Sequence, residues 1–298
     1  MRTYLRYLKL ERNFSPNTVA AYAHDLDIFM AYLGREGLDV ATVNRDNLEH
    51  FASTLHELGI GPRSQARVLS GVRSFFRYLI LDGYVKDDPT ELIEWPRNEI
   101  HLPEFLTTDE VDRIKDALNP DKAETQRNRA IIEVLFSCGL RVSELVNLKI
   151  SNLNLPERFL KVCGKGRKER LVPMSPCSVS ELESWFADRS RLDIKKGEED
   201  YVFLNRRGHH LTRTMVLIMI KKAAADAGIK KTISPHTFRH SFATALLKGG
   251  ADLRIIQELL GHEDIATTEI YTHIDDEDLR KAVLEHHPRN MAKDKIKY

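Results

Sequence analysis

Apolar residues recur at three- and four-residue intervals through the N-terminal third of the chain, the spacing of helices that pack by one face. Ser15-Pro16 reads as an N-cap followed by proline at the first helical position. Behind it Val19, Tyr22, Leu26, Phe29, Met30 and Leu33 keep helical spacing, and Gly34 is expected to end the run. A second helix is expected from Arg45 to Leu58, closed by Gly59, and a third from Pro62 to Leu81. In the third, Val68, Leu69, Val72, Phe75, Phe76, Leu79 and Ile80 form the apolar stripe. Arg63, Arg67, Arg73 and Arg77 lie opposite. Those arginines form either a solvated basic face or a surface that meets DNA phosphates.

The periodicity lapses over residues 88–107, which carry Pro89, Pro96 and Pro103. This places a helical domain over 1–95, a linker over 96–106 and a second domain over 107–298. The second domain opens with a helix at Thr107-Thr108-Asp109-Glu110. Residues 127–147 read as helix, a break at Gly139, then helix. Phe159–Val162 and Glu169–Pro173 alternate like strands around Gly164-Lys165-Gly166-Arg167, a turn whose glycines suit positive φ. From Leu211 onward the pattern is helical, with caps at Ser234 and Asp252 and stops at Gly249-Gly250 and Gly261. A short helix is expected over about 276–287, with an apolar edge at Leu279, Ala282, Val283 and Leu284. The expected fold is mainly α, two helical domains with one small antiparallel β-hairpin in the second.

With 42% hydrophobic and 30% charged residues, the chain has the composition of a globular protein with a sizeable core. No apolar run reaches the roughly 18 residues of a membrane span, and the N-terminus lacks an apolar leader core. Cys138, Cys163 and Cys177 show no paired spacing, which suits reduced thiols in a cytoplasmic protein. The net charge of +1 favours no partner by itself, so a polyanion surface would require local clustering of lysine and arginine.

The chemistry concentrates between Ser234 and Tyr271. Ser234-Pro235 opens a helix, placing His236 in the first turn and Arg239 three residues on, on the same face. Amides of a helix N-terminus together with histidine and arginine make a phosphate clamp. The plainer alternative is a capping histidine and a structural ion pair. Arg141 follows the Gly139 break and points away from the apolar face of Val142, Leu145, Val146 and Leu148, with Glu144 placed to orient it. A surface Arg–Glu pair has the same appearance. Lys165 is a hairpin-tip lysine that is either solvated or extended into a neighbouring site. Arg167, Lys168 and Arg170 make that hairpin basic and suited to a polyanion. His262 follows the Gly261 stop, and Tyr271 follows nine residues later. A tyrosine with a reference pKa of about 10 attacks at neutral pH only beside cations or a base. His236, His240 and His262 come without the glutamate or cysteine spacing of a metal site, so no metal is expected.

Taken in order, Arg141, Lys165, His236-x-x-Arg239, Gly-His262 and Tyr271 resemble the active-site set of the tyrosine recombinases, the phage-integrase family. GLRVSEL, GKGRKERLVP, HTFRHSFAT and LGH-x8-Y are similar to that family's boxes, and FSPNTVAAYAHDLDIFMAYL is similar to its SAM-like core-binding domain. The resemblance runs from about residue 3 to about residue 289. The length and the ending EHHPRN are most similar to the Xer recombinases. It implies a catalytic set of Arg141, Lys165, His236, Arg239, His262 and the nucleophile Tyr271, with Glu144 in support. The implied reaction is cutting and rejoining of DNA through a 3′-phosphotyrosyl intermediate and a Holliday junction, without cofactor or metal. It also implies a homo- or hetero-tetramer on a double-stranded DNA site, linked by exchange of the C-terminal helix. A paralogous recombinase or a DNA translocase is a further implied partner, and dimer resolution an implied task. A mobile-element integrase shares the chemistry. A type IB topoisomerase shares the Arg-Lys-Arg-His-Tyr logic, but the N-terminal domain and the tail helix speak against it.

Overall fold

A computed structural model describes residues 1–91, 93, 104–164, 169–261 and 276–290. The chain divides into two units, Met1–His101 and Leu102–Tyr298. The expected linker over 96–106 lies mostly outside the described residues, as does the C-terminal stretch 291–298. No helix among the described residues is long and apolar enough to cross a membrane.

The first unit consists of α1 (Arg2–Leu10), α2 (Pro16–Glu36), a 3₁₀ turn (Val40–Thr42), α3 (Arg45–Glu57) and α4 (Pro62–Leu81). Ser15 caps α2, its hydroxyl accepting from the Thr18 amide at 3.2 Å. The stripes of α2, α3 and α4 meet in one core around Leu26, Phe29, Leu48, Phe51, Val72 and Phe76. Gly34 does not end α2. The helix continues to Glu36, and Gly37 provides the left-handed stop at φ +64°. An interior glycine costs a helix about 1 kcal/mol, which tertiary packing outweighs.

The basic face of α4 is not uniform. Arg63 and Arg77 are exposed. Arg67 instead pairs at 2.6 Å with Asp25, a carboxylate buried within the unit. Arg73 donates from Nη2 to the Thr90 carbonyl at 2.8 Å. Two of the four expected phosphate contacts are thus engaged internally, because each lies beside a polar group that the fold removes from water.

The second unit contains α5 (Thr108–Asp116), α6 (Thr125–Cys138), α7 (Val142–Val146), a 3₁₀ turn (Ile150–Asn152), β1 (Leu153–Asn154), β2 (Phe159–Cys163), β3 (Glu169–Pro173), α8 (Pro176–Arg189), α9 (Arg213–Asp226), α10 (Pro235–Gly249), α11 (Leu253–Leu260) and α12 (Asp276–His286). The hairpin is as expected, with Leu160 opposite Val172 and Cys163 opposite Glu169. β1 adds a third antiparallel strand beside β2. Helix α6 is buried from Ala130 to Cys138 and forms the axis of the unit, packed between α8 and α10.

Gly139 ends α6 at φ +59°, and a Cβ there would lie 2.4 Å from Cδ1 of Phe242 on α10. The glycine therefore sets how closely the end of α6 approaches the start of α10. Gly139→Ala combines left-handed backbone strain with overpacking and is expected to cost roughly 2–5 kcal/mol, read as a fall in the urea midpoint of the second unit. An unchanged midpoint would show that the two helices separate freely.

The tail helix, implied above to be exchanged with a neighbour, packs on its own unit here. Leu279, Ala282 and Val283 are buried against Phe242, Leu246, Ile256 and Leu259 of α10 and α11 of the same chain. His286 Nδ1 contacts the Gly249 carbonyl at 2.7 Å. His287 is fully buried between the rings of Phe136 and Phe242, at 5.1 and 5.4 Å. In the single chain the apolar face expected to meet a neighbour is covered by the chain itself.

Candidate active site

The C-terminal end of α11 is where the second unit gathers its cations. Helix ends leave carbonyls without intrahelical partners, and cations are stabilised beside them. Three arginines from three other elements take three successive carbonyls there. Arg170 of β3 donates from Nε to Leu259 at 2.8 Å. Arg239 of α10 donates from Nη2 to Leu260. Arg141, the N-cap of α7, donates from Nη2 to Gly261 at 2.8 Å.

Each arginine arrives for a local reason. Gly139 ends α6 and α7 begins three residues later, so Arg141 stands at the turn between them. Glu144, one turn into α7, accepts from the Arg141 backbone amide at 2.8 Å and from its Nη1 at 2.9 Å. Ser234 caps α10 and Pro235 opens it, which places His236, exposed, in the first turn and Arg239 on the inner side one turn on. Arg239 spans back to the end of α6, donating from Nη1 to the Gly139 carbonyl at 2.8 Å. The expectations for Arg141, Glu144, His236 and Arg239 thus fall on neighbouring elements, and the two catalytic-set arginines meet at one helix end. Lys165, Arg167, Lys168, His262 and Tyr271 lie outside the described residues.

Arg170, grouped above with Arg167 and Lys168 on a basic hairpin, turns inward instead. Its side chain is only 9% exposed and grips Glu144 with both terminal nitrogens, Nη1 to Oε1 and Nη2 to Oε2, each at 2.9 Å. The signal was present in the strand alternation. Leu160 and Val162 of β2 and Val172 of β3 face the core, and Arg170, opposite Val162, occupies the same inward phase. The carbonyls of Leu259, Leu260 and Gly261 left no such trace, since backbone acceptors have no residue code.

One carboxylate therefore sits among three guanidinium groups. Burial alone would raise the Glu144 carboxyl. The hydrogen bonds and charge of Arg170, together with Arg141, bring it below the ordinary value instead. Burial, then the charge of Arg141, lowers Arg239 to about 10, still protonated at neutral pH. Three guanidinium groups around one carboxylate leave the cluster with surplus positive charge. Arg239 and Arg170 are nearly covered, whereas Arg141 leaves 31% of its side chain open. The cluster is thus a preorganised anion site with one accessible arm.

An all-helical first unit is thus followed by a mostly helical unit with an arginine cluster between a small sheet and a helix end. Residues 104–278 match the model of the phage integrase family, and residues 1–83 match that of the phage integrase N-terminal SAM-like domain. Tyrosine recombinase XerD of Listeria monocytogenes is 41% identical over 289 residues, covering 96% of this chain and 97% of the relative. Tyrosine recombinase XerD of Chlorobaculum tepidum is 40% identical over 292 residues, covering 97% and 96%. Among solved structures, XerA recombinase aligns with a TM-score of 0.51 at 33% identity, over 96% of each chain. XerH recombinase, solved in a post-cleavage complex with palindromic difH substrate, aligns with a TM-score of 0.72 at 25% identity, over 91% of this chain and 80% of that one. The chain belongs to the phage integrase family and is a site-specific tyrosine recombinase, an enzyme that breaks and rejoins DNA strands. Over nearly its whole length it is similar to the XerD recombinases.

Proposed function

We propose that this enzyme cuts its DNA site by in-line attack of the Tyr271 phenol oxygen on the scissile phosphorus. The Tyr271 Oη–P bond forms as the bond from phosphorus to the 5′ oxygen breaks, leaving a 3′-phosphotyrosyl link and a free 5′-hydroxyl. Arg141 and Arg239 bind the non-bridging oxygens, with His262 as a further donor. Lys165 gives its proton to the departing 5′ oxygen, and His236 takes the phenol proton or bonds the phosphate. A 5′-hydroxyl from the partner strand then attacks phosphorus and releases Tyr271, so the energy of the broken bond is kept in the covalent link. Exchange of one strand pair and then the other passes through a Holliday junction. The arginines supply the positive charge that such a phosphoryl transfer needs, so the reaction requires no metal or nucleotide cofactor.

Residues 1–95 act as the core-binding domain and 107–298 as the catalytic domain on a double-stranded site. Arg63 and Arg77 on α4, and Arg167 and Lys168 on the hairpin, meet the DNA backbone. The XerH complex with difH supports this reading, since that relative holds a recombination site. Four subunits, of this chain alone or with a paralogous recombinase, work in the cytoplasm around two duplexes. In that assembly α12 leaves the face it covers in the single chain and docks on a neighbour. Resolution of chromosome or plasmid dimers, with a DNA translocase as activator, is the task this similarity favours.

The single observation that carries the reading is the convergence of Arg141 and Arg239 on the end of α11, one residue before His262 in the chain. A nicked suicide substrate, incubated with the enzyme in EDTA, tests it. The expected result is a stable protein–DNA adduct mapped by peptide analysis to Tyr271. An adduct that forms only with added divalent metal, or on another residue, would overturn it.

A further inference from the structure

Arg170 is largely covered, yet like Arg141 it is bonded both to Glu144 and to a carbonyl at the end of α11. Both terminal nitrogens hold Glu144 and its Nε holds the Leu259 carbonyl. Its stem lies against Gly261, where a Cβ would come within 3.3 Å of its Cδ and Nη1. Glu144 in turn holds the side chain and the backbone amide of Arg141. Arg170 therefore bridges the hairpin strand β3, the α7 carboxylate and the last turn of α11.

We propose that Arg170 is a positioning residue of strand cleavage: by neutralising Glu144 it leaves the charge of Arg141 available to the scissile phosphate. The inference rests on the role proposed above for Arg141. A buried carboxylate demands a counter-charge. With Arg170 present, two guanidinium groups share one carboxylate and Arg141 has charge to spare. With Arg170 gone, Arg141 is the remaining cation bonded to Glu144 among the described residues, and an incoming phosphate must compete with that carboxylate for it. The Leu259 carbonyl also loses its donor, which loosens the backbone that presents the Gly261 carbonyl to Arg141.

The test is single-turnover cleavage of a nicked suicide substrate at saturating enzyme, with DNA binding followed by gel shift. Arg170→Met is expected to cleave on the order of 10–100-fold more slowly, less than the loss of a direct phosphate donor, with binding nearly unchanged. The diagnostic readout is a second substrate with a methylphosphonate at the scissile position. That linkage lacks one charged non-bridging oxygen, so arginine charge matters less to it. The deficits of Arg141→Ala and Arg170→Met are both expected to shrink on it. If only Arg141→Ala shrinks and Arg170→Met is equally slow on both linkages, Arg170 has a merely structural role and the inference fails. If Arg141→Ala is itself equally slow on both, the assignment of Arg141 to the phosphate fails. Should Arg170→Met not fold, Arg170→Lys carries the same comparison. It keeps the charge but donates from a single nitrogen, so a smaller deficit that narrows on the neutral linkage supports the proposal. One that does not narrow overturns it.

Discussion

The Tyr271→Phe enzyme is expected to bind its DNA site and form no covalent adduct, the largest functional effect of any single substitution in this chain. Phenylalanine keeps the ring and removes the oxygen proposed to attack phosphorus. The phenol has a reference pKa of about 10, so it needs surrounding positive charge to react at neutral pH. In the proposed mechanism the arginine cluster provides that charge, and burial lowers Arg239 only to about 10. Arg239→Ala is expected to behave differently. It retains the nucleophile and loses one preorganised donor, so the same adduct should form about 10²–10³-fold more slowly. Arg239→Ala also strips donors from the carbonyls of Gly139 and Leu260, so some loss of stability accompanies the slower chemistry. Measuring adduct yield and rate for both variants on one suicide substrate separates nucleophile from clamp. An adduct surviving in Tyr271→Phe would remove Tyr271 from its role. A normal rate in Arg239→Ala would mean that Arg239 is only a tie between α6, α10 and α11.

Glu133→Gln is expected to give the largest loss of stability outside the active site. Glu133 is fully buried on α6 and accepts from Lys115 at 2.7 Å and from Ser137 at 2.5 Å, with Arg289 Nε at 3.0 Å. Arg289 also makes a two-pronged pair with Asp112, at 3.0 and 2.6 Å. The cluster thus ties α5, α6 and the segment after α12 together. Burial alone would raise the Glu133 carboxyl, but the charges of Arg289 and Lys115 hold it below the ordinary 4.5. A lowered carboxyl contributes stability that is fully present above that ordinary value and is lost as pH falls through the folded-state value. Glutamine keeps the shape and leaves the buried cations with one carboxylate too few. Breaking a buried pair in this way costs about 3–5 kcal/mol. For a unit of this size that corresponds to a fall in melting temperature of roughly 6–20 °C. Calorimetry of the second unit's transition checks it, with Asp112→Asn as the milder comparison because the Asp112 side chain is 44% exposed. A shift of only a degree or two in Glu133→Gln would show that Asp112 and Glu181 suffice to hold Lys115 and Arg289.

Much of this molecule is legible in the chain because local rules determine local shape. Pro62–Leu81 is a helix where proline, apolar spacing and length said so. Ser15, Ser234 and Asp252 cap the helices they precede, since a short oxygen side chain beside free amides has few better uses. The hairpin alternates in the expected register. The family was also legible, because phosphate transfer restricts which side chains serve and because their ordered wording resembles that of one family.

What local pattern does not contain is the partner of a charge. Arg239 reaches a carbonyl 100 positions away, Arg170 one 89 away and Arg289 a carboxylate 177 away. The partners of Arg67 and Arg73 on α4, Asp25 and the Thr90 carbonyl, appear only once the fold places them there. Gly34 looked like a stop until packing carried α2 to Gly37. The apolar edge of α12 did not name its partner, which in the single chain is α10 and α11. The amino-acid sequence by itself determined the helical elements of both units and the hairpin strands. Only the tertiary structure decided which arginines are tied to other groups of the chain, because buried polar groups, many of them backbone carbonyls, take whichever donor the fold brings within about 3 Å.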